Sequence, residues 1–334
     1  MSAAKYPFTF RIVGDPHNRR RRVDAATAFD AYRQCDALAR VDEESYLGMF
    51  RYGDEFARHL ATTGSTRGFE GRTWSDHLYF DVDRDVQAGG VERAIADTQQ
   101  LVRTLEERFG VPEECQLPFI SGGKGCHLGI PTALWSPEGG ESYHLVAREF
   151  AGRLAAAAGV AVDEGIYDRV RAFRSPNSRH PKKGLHKRFV PPQQFAMLTL
   201  DDALVLASRP APFQLCDVSD LGTLPALVAE WQAASEAVAA RQVSFDQKKR
   251  DIATGVAITS VNRLTLDLIR GEPVAVGDRH RTIYSSARNL AEAGAPQHLV
   301  VELLREAALD TGLPPREVDR QIECGYLAAV PEKL

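Results

Sequence analysis

The segment HLYFDVD, residues 77–83, decides how the rest of the sequence is interpreted. It has the composition of a short β-strand and ends in two aspartates separated by one valine. Because strand side chains alternate between faces, Asp81 and Asp83 are predicted to lie on one face and Val82 on the other. Neighbouring carboxylates repel unless a cation lies between them, and hard divalent cations prefer oxygen ligands. The pair therefore predicts a metal site, although an isolated Asp-x-Asp also fits a strand that runs into a polar turn.

The second chemical motif is a glycine-rich turn, SGGKGCH at residues 121–127, between two predicted strands. Glycines allow backbone N–H groups to approach phosphate oxygens closely, because no Cβ atom stands in the way. The serine, lysine and histidine of this turn could bind the same oxygens. A Walker motif would need a GK[ST] ending and a following helix, so the alternative is a glycine-rich hairpin with an incidental lysine. The candidate phosphate ligands are Ser121, Gly123, Lys124, Gly125 and His127.

The third motif is a basic strip, residues 169–188, which contains eight Lys or Arg, two His and no acidic residue. Two candidate carboxylates, Asp163 and Asp168, precede it. The net charge of the whole chain is −4, and a basic strip in an acidic protein usually has a local anionic partner. A second basic run, Arg19 to Arg22, is better explained as a solvated face or a flexible tail. Only the longer strip is therefore assigned a binding role.

Length and composition describe an ordinary globular protein. The 334 residues are 44% hydrophobic and 26% charged, which suggests about two domains. No apolar run reaches the ~20 residues of a membrane span, and residues 1–22 lack the features of a signal peptide, so a cytoplasmic protein is predicted. The five cysteines are scattered without a CxxC motif. This distribution predicts reduced thiols and no structural zinc site.

Hydrophobic periodicity divides the chain into a larger part with strands and helices and a smaller helical part. Helices are predicted over residues 24–40, 91–109 and 142–158. After about residue 220 an Ala-rich helix leads into a polar stretch, and residues 278–330 then form three helices. Each of these helices ends at a glycine or begins at a proline, which is typical helix punctuation.

Taken in order, the three motifs resemble those of the archaeo-eukaryotic primase superfamily, in its primase–polymerase branch. The pattern is hhhhDhD, then SGxGxH, then hDxGhYxxxRxFR followed by PNSxH. VDEGIYDRVRAFRSPNS, residues 162–178, resembles the third motif of that branch, and PNSRHPKKGL, residues 176–185, resembles the small primase subunits of archaea and eukaryotes. The resemblance covers residues 51–190. The zinc motif common in those small subunits has no room here, because only 35 residues separate His127 from Asp163.

The resemblance implies an α+β fold: a primase-type catalytic core with a mixed or antiparallel sheet and an RRM-like element, plus a small all-helical C-terminal domain. We expect the catalytic domain at residues 1–220, a helical connector at 221–255 and the helical domain at 256–334. The last of these is similar to small C-terminal domains attached to mobile-element and bacterial primases.

The resemblance also assigns roles to individual residues. Two ions, Mg²⁺ or Mn²⁺, would be held by the catalytic residues Asp81, Asp83 and Asp163, with Asp168 as a secondary candidate. The incoming nucleotide would contact Ser121, Gly123, Lys124, Gly125, His127, Arg171, Arg174 and His180. Template strand contacts are expected at Arg67, Arg72, Arg179, Lys182 and Lys183. Phe69 and Trp74, in and after the 67–72 loop, could stack on bases, although core packing is the favoured explanation for both.

The implied function is a DNA-template-directed primase–polymerase that makes and extends short primers from NTPs or dNTPs by two-metal nucleotidyl transfer. Its partners would be single-stranded DNA, nucleotides and a separate replicative helicase, with no membrane. A repair polymerase that only extends primers shares every motif, so it stays open, as does a scaffold subunit with a vestigial site. A metal-dependent hydrolase explains the first two motifs but leaves the PNSRH stretch without a role. The sequence does not decide between ribo- and deoxyribonucleotides.

Overall fold

The computed structural model describes residues 2–253 and 261–329. The chain forms two compact units, Met1–Val238 and Ala239–Leu334. The first combines two β-sheets with helices, and the second is helical. The predicted boundary between connector and C-terminal domain, at residues 255 and 256, lies outside the described residues.

The first unit contains most of the secondary structure of the described chain. In chain order its elements are α1 (Ser2–Lys5), β1 (Phe8–Val13), β2 (Arg21–Asp24), α2 (Ala25–Arg33), β3 (Ser45–Gly48), β4 (Arg51–Tyr52), α3 (Asp54–Thr63), β5 (Thr73–Trp74), β6 (His77–Asp83), α4 (Gly90–Phe109), β7 (Leu117–Ile120), β8 (Gly125–Pro131), α5 (Tyr143–Ala157), β9 (Ala172–Arg174), β10 (Arg188–Phe189), α6 (Pro192–Phe195), α7 (Leu200–Ala207) and the first part of α8 (Pro225–Ala253).

Two antiparallel sheets form the centre of this unit. Within the described chain, one sheet has six strands in the order β5-β4-β1-β3-β9, with β2 also paired to β1. The other has four strands in the order β10-β7-β8-β6. The predicted α+β fold with antiparallel sheets and a helical C-terminal region is therefore confirmed.

The alternation predicted for β6 is also confirmed, and it determines where the carboxylates lie. Leu78, Phe80 and Val82 are buried in the hydrophobic cluster that includes Leu101 of α4 and Phe150 of α5. The opposite face of the strand carries Tyr79, Asp81 and Asp83. Because helices cover one face of β6, both aspartates belong to the face that is turned away from those helices.

The second unit is built from α9 (Arg263–Ile269), α10 (Arg279–Glu292), α11 (Gln297–Asp310) and α12 (Pro315–Ala329). Its core contains Ile283, Leu304 and Ile322. Gly325 lies so close to α10 that a Cβ atom there would be 2.3 Å from the carbonyl oxygen of Tyr284. The last three helices match the predicted helical segments to within about two residues, the usual uncertainty of helix ends. Within the described residues, no helix combines the length and apolar character that a membrane span requires.

Candidate functional site

The pairing of β6 with β8 brings the first two motifs together. In this antiparallel register Asp81 lies opposite His127, and Asp83 lies opposite Gly125. The glycine-rich turn precedes β8, so it lies beside the carboxyl-terminal end of β6. Residues about forty positions apart in the sequence therefore form one site.

Gly125 is required by the closeness of the two strands at this point. A Cβ atom on residue 125 would lie 2.1 Å from the carbonyl oxygen of Val82 and 2.5 Å from Oδ1 of Asp83. Both distances are far below a van der Waals contact. Only glycine allows β8 to pair with β6 while Asp83 keeps its position.

Replacing Gly125 with alanine is expected to destabilise the protein by about 1–3 kcal/mol, since β6 must shift to admit the methyl group. Gly140→Ala is the matched control: no atom lies within 4 Å of its added Cβ, so a change within about 0.5 kcal/mol is expected. Urea unfolding of both variants measures the difference. Equal stabilities would show that the strands are less close than described.

Ser121 holds the glycine-rich turn in shape. Its hydroxyl oxygen accepts hydrogen bonds from the N–H groups of Gly123 (3.2 Å) and Gly125 (3.3 Å), and its own N–H donates to the Gly125 carbonyl at 3.0 Å. Gly122 has φ +73°, which favours glycine. The N–H groups predicted to bind phosphate are therefore engaged by Ser121 in this structure, and phosphate binding by them stays a prediction.

Asp163 reaches the same neighbourhood through its backbone. Its N–H donates to the carbonyl oxygen of Asp81 at 2.9 Å. Its carboxylate accepts from the N–H of Gly165 at 2.8 Å, which caps the 3₁₀ helix Glu164–Tyr167. In the described residues no group of three or more His, Cys, Asp or Glu side chains is arranged to hold a metal ion. Asp81, Asp83 and Asp163 are neighbours, but the Asp163 carboxylate caps the 3₁₀ helix that follows it. The secondary candidate, Asp168, comes directly after that helix and is exposed.

The carboxylates of β6 are electrostatically strained. Burial, with the charges of Asp83 and Asp163, raises the pKa of Asp81 to about 7, although Lys187 and Arg171 partly offset this. Burial also raises the pKa of Asp83, despite the Lys124 ammonium 3.7 Å away. Oδ1 of Asp81 is buried and accepts no hydrogen bond from the described residues. A buried carboxylate without a donor, beside a second one, fits the oxygen ligands that a divalent cation requires.

His127 is a neutral imidazole within this site. Its Nε2 lies 3.5 Å from Oδ1 of Asp81, and its ring packs on Phe173 with centroids 4.5 Å apart. Burial, together with the positive charges of Lys187 and Arg174, lowers the pKa of His127 far below its usual range. The lowered pKa favours the neutral form of His127, which can donate a hydrogen bond from only one of its two ring nitrogens.

Lys187 is a site residue that the sequence did not single out. Its side chain is buried, and its ammonium nitrogen lies 4.1 Å from the ring centre of Phe173 and 4.9 Å from that of Phe119. It donates to the carbonyl of Arg174 at 2.9 Å, and burial lowers its pKa strongly. In the sequence it is one of eight cations in the basic strip, and nothing local separates it from the exposed ones.

The other predicted nucleotide ligands divide into two groups. Arg174 lies on β9 opposite Tyr46, with its guanidinium 5.2 Å above that ring. His180 lies against the glycine-rich turn, because a Cβ atom on Gly123 would be 3.1 Å from its ring. Arg171 is exposed and precedes β9. The structure therefore brings His180 to the turn. The charge of Arg174 lowers the pKa of His127, and the charge of Arg171, although its side chain is exposed, lowers the pKa of Asp81.

The predicted template contacts are mostly surface residues. Arg179, Lys182 and Lys183 are exposed in the loop before β10, and Arg67 and Arg72 are exposed in the loop before β5. The two nearby aromatic side chains are buried, at 7% exposure for Phe69 and 8% for Trp74. Core packing, the favoured explanation for both rings, agrees with this burial.

No protein-family model matches the sequence, and no curated protein matches it. Among solved structures the chain is similar to one described as the crystal structure of primase RepB′, with a TM-score of 0.36 and 13% identity, covering 98% of this chain and 95% of that chain. The similarity is weak, and membership of a family does not follow from it.

Proposed function

We propose that the protein is a template-directed nucleotidyltransferase that synthesises and extends short primers, that is, a primase–polymerase. The observation that carries the proposal is the β6–β8 register, which sets Asp81 opposite His127 and Asp83 opposite Gly125. It places a pair of carboxylates beside a glycine-rich turn. His180 supplies a hydrogen-bonding ring at that turn, and Arg174 supplies a positive charge that acts on His127.

Asp81 and Asp83 are the residues that would hold divalent cations, with Asp163 as the third carboxylate once its side chain leaves the Gly165 N–H. A bound Mg²⁺ or Mn²⁺ would lower the pKa of an attacking hydroxyl and neutralise phosphate charge. The strain on the two β6 carboxylates supports this assignment, since a cation relieves their mutual repulsion.

The protein's own groups would bind the triphosphate. Arg174 is pre-oriented by the Tyr46 ring, which reduces the conformational entropy lost on binding. Lys124 is half exposed beside Asp83 and can contact a terminal phosphate. In the reaction the 3′-oxygen forms a bond to the α-phosphorus, and the bond from that phosphorus to the bridging oxygen breaks to release pyrophosphate. For initiation the attacking hydroxyl belongs to a second nucleotide.

The experiment that tests the proposal is synthesis on an unprimed single-stranded DNA template, with labelled ribo- or deoxyribonucleotides and Mg²⁺ or Mn²⁺. We expect short products from the wild type and none from Asp81→Ala/Asp83→Ala. Extension of a supplied primer without initiation would identify a repair polymerase instead. Incorporation by the double variant would refute the metal assignment, and no incorporation by either protein would favour a scaffold subunit.

A further inference from the structure

A second basic surface lies on the first unit, on the β1–β2 hairpin. A groove of about 690 Å³ is lined by five arginines, named here the arginine groove: Arg11, Arg19, Arg21, Arg22 and Arg40. The run Arg19–Arg22 is not a tail, because Arg21 and Arg22 belong to β2 and pair with β1. The groove is a feature of the folded sheet, created by strand pairing.

The arginine groove holds more positive charge than the protein itself neutralises. Arg11 and Arg21 lie directly opposite each other across two antiparallel strands, a placement in which like charges are destabilising. Glu43 also lines the groove and forms an ion pair with Arg40. Over the described ranges 2–253 and 261–329, no carboxylate lies within ion-pair distance of the other four arginines. An external anion would remove this repulsion.

Two of the arginines are held in place. Arg11 donates to the carbonyl of Leu38 at 3.1 Å and lies 5.7 Å from the ring centre of Tyr32. The guanidinium of Arg22 lies 4.7 Å from the ring centre of Phe8, on the face of the hairpin opposite to Arg11 and Arg21, so Arg22 lies at the edge of the groove. Aromatic contacts leave the planar edge of a guanidinium available for phosphate oxygens.

The wall of the arginine groove is joined to the basic strip by a backbone hydrogen bond. Glu43, on the wall of the groove, accepts through its carbonyl oxygen from the N–H of Arg179 at 3.2 Å. The next residue, His180, contacts the glycine-rich turn at Gly123. Two consecutive residues of the basic strip, Arg179 and His180, therefore connect the wall of the groove to the glycine-rich turn.

We propose that the arginine groove binds the phosphate backbone of a single-stranded nucleic acid, and that this strand is the template; the second clause rests on the proposed function. Three of the lining arginines, Arg11, Arg19 and Arg21, have no carboxylate within ion-pair distance among the described residues. Several unpaired cations along one groove suit a chain of phosphates better than a single phosphate. Such binding is sequence-independent and weakens as salt displaces the strand.

The test is the affinity of a fluorescent single-stranded DNA 16-mer, measured by anisotropy without metal or nucleotide. Arg19 and Arg21 are exposed, so Arg19→Gln/Arg21→Gln is expected to fold normally. We expect its Kd to rise about tenfold, and its salt slope to fall by about 1.4, that is, about 0.7 for each lost phosphate contact. Arg103→Gln/Arg108→Gln on α4 removes the same charge elsewhere and should stay within about twofold of the wild type.

Several outcomes would overturn the proposal: an unchanged Kd and salt slope in the groove variant, an equal loss in the α4 control, or tighter binding of duplex than of single-stranded DNA. Displacement of the 16-mer by tripolyphosphate at equal phosphate concentration would show that the groove is a small-anion site instead. The Asp81→Ala/Asp83→Ala protein separates the two proposals. Normal strand binding without synthesis by this variant supports both. A wild type that binds through the groove but incorporates nothing would refute the proposed function and the template assignment, and would leave only strand binding by the groove.

Discussion

Asp81→Asn is expected to reduce nucleotide incorporation by about 10²–10³-fold while making the metal-free protein more stable above pH 7. The loss of activity follows from removing one charge from the carboxylate pair, since a single preorganised electrostatic contact contributes on the order of 10²–10³ to a rate. The gain in stability follows from the cost of ionising a buried carboxyl next to Asp83 and Asp163.

The sign of the pH dependence follows from the raised pKa. In the unfolded chain Asp81 ionises near its ordinary pKa of ~3.9, whereas burial and the neighbouring carboxylates raise the folded pKa to about 7. Asp81 therefore loses its proton at a lower pH in the unfolded state than in the folded state. As a result, the free energy of unfolding falls as pH rises from about 4 to 7. Each pKa unit corresponds to about 1.4 kcal/mol. The unfolding free energy of Asp81→Asn should therefore exceed that of the wild type by a few kcal/mol above pH 7, and the two should be equal below about pH 4.

Urea unfolding at pH 5 and pH 8, in the presence of a chelator, measures both effects. The matched control is Asp85→Asn, whose side chain is 79% exposed; its stability should differ little from that of the wild type at either pH. Two results would contradict the electrostatic account of the site. One is an Asp81→Asn protein that is less stable than the wild type at pH 8, and the other is a stability gain from this substitution that is as large at pH 5 as at pH 8.

Mild oxidation is expected to join Cys115 and Cys216 and to stabilise the first unit strongly. Their sulfur atoms lie 2.7 Å apart although the residues are 101 positions apart in the chain. A cross-link closing a loop of ~100 residues contributes about 4.7 kcal/mol in the chain-entropy account. Burial raises the pKa of Cys115 to about 12, and because thiolates react faster than thiols, the reaction should accelerate as pH rises.

Non-reducing electrophoresis with thiol titration before and after a diamide pulse measures this cross-link, and thermal unfolding should show a rise in Tm of roughly 10 °C. Cys115→Ser is the control that prevents the bond, and it should lose the Tm increase. Cys324 is exposed in the second unit and should form dimers rather than the internal link. If Cys115→Ser kept the full Tm increase, the pair would not be its source.

Local patterns predicted much of the fold. The alternation in HLYFDVD gave the correct faces for Asp81 and Asp83, because side-chain direction in a strand depends only on the backbone. Glycine and proline punctuation located α10, α11 and α12 closely. The helix predicted over residues 24–40 ends early, at Arg33; Asp36 then caps a separate 3₁₀ turn, since side chains of this type compete with continued helix.

What the sequence could not predict depends on contacts between distant segments. The aromatic surroundings of Lys187 are formed by Tyr79, Phe119 and Phe173, which come from three different strands. The Cys115–Cys216 approach and the arginine groove also depend on tertiary pairing, which has no local signal. The sequence also could not show whether the N–H groups of the glycine-rich turn bind the Ser121 hydroxyl or a phosphate, because the same residues are required for both.

Under the proposed function, the turn held by Ser121 has a consequence for nucleotide selection. A phosphate that takes the N–H groups of Gly123 and Gly125 must displace the serine hydroxyl from both. The affinity gained there is then a difference between two sets of hydrogen bonds, each contributing only about 0.5–1.5 kcal/mol. The net free energy of binding at the turn would therefore be small, and it would be nearly the same for every nucleoside triphosphate. In the proposed reaction, discrimination between nucleotides would therefore come from base pairing with the template and from the contacts made to the sugar.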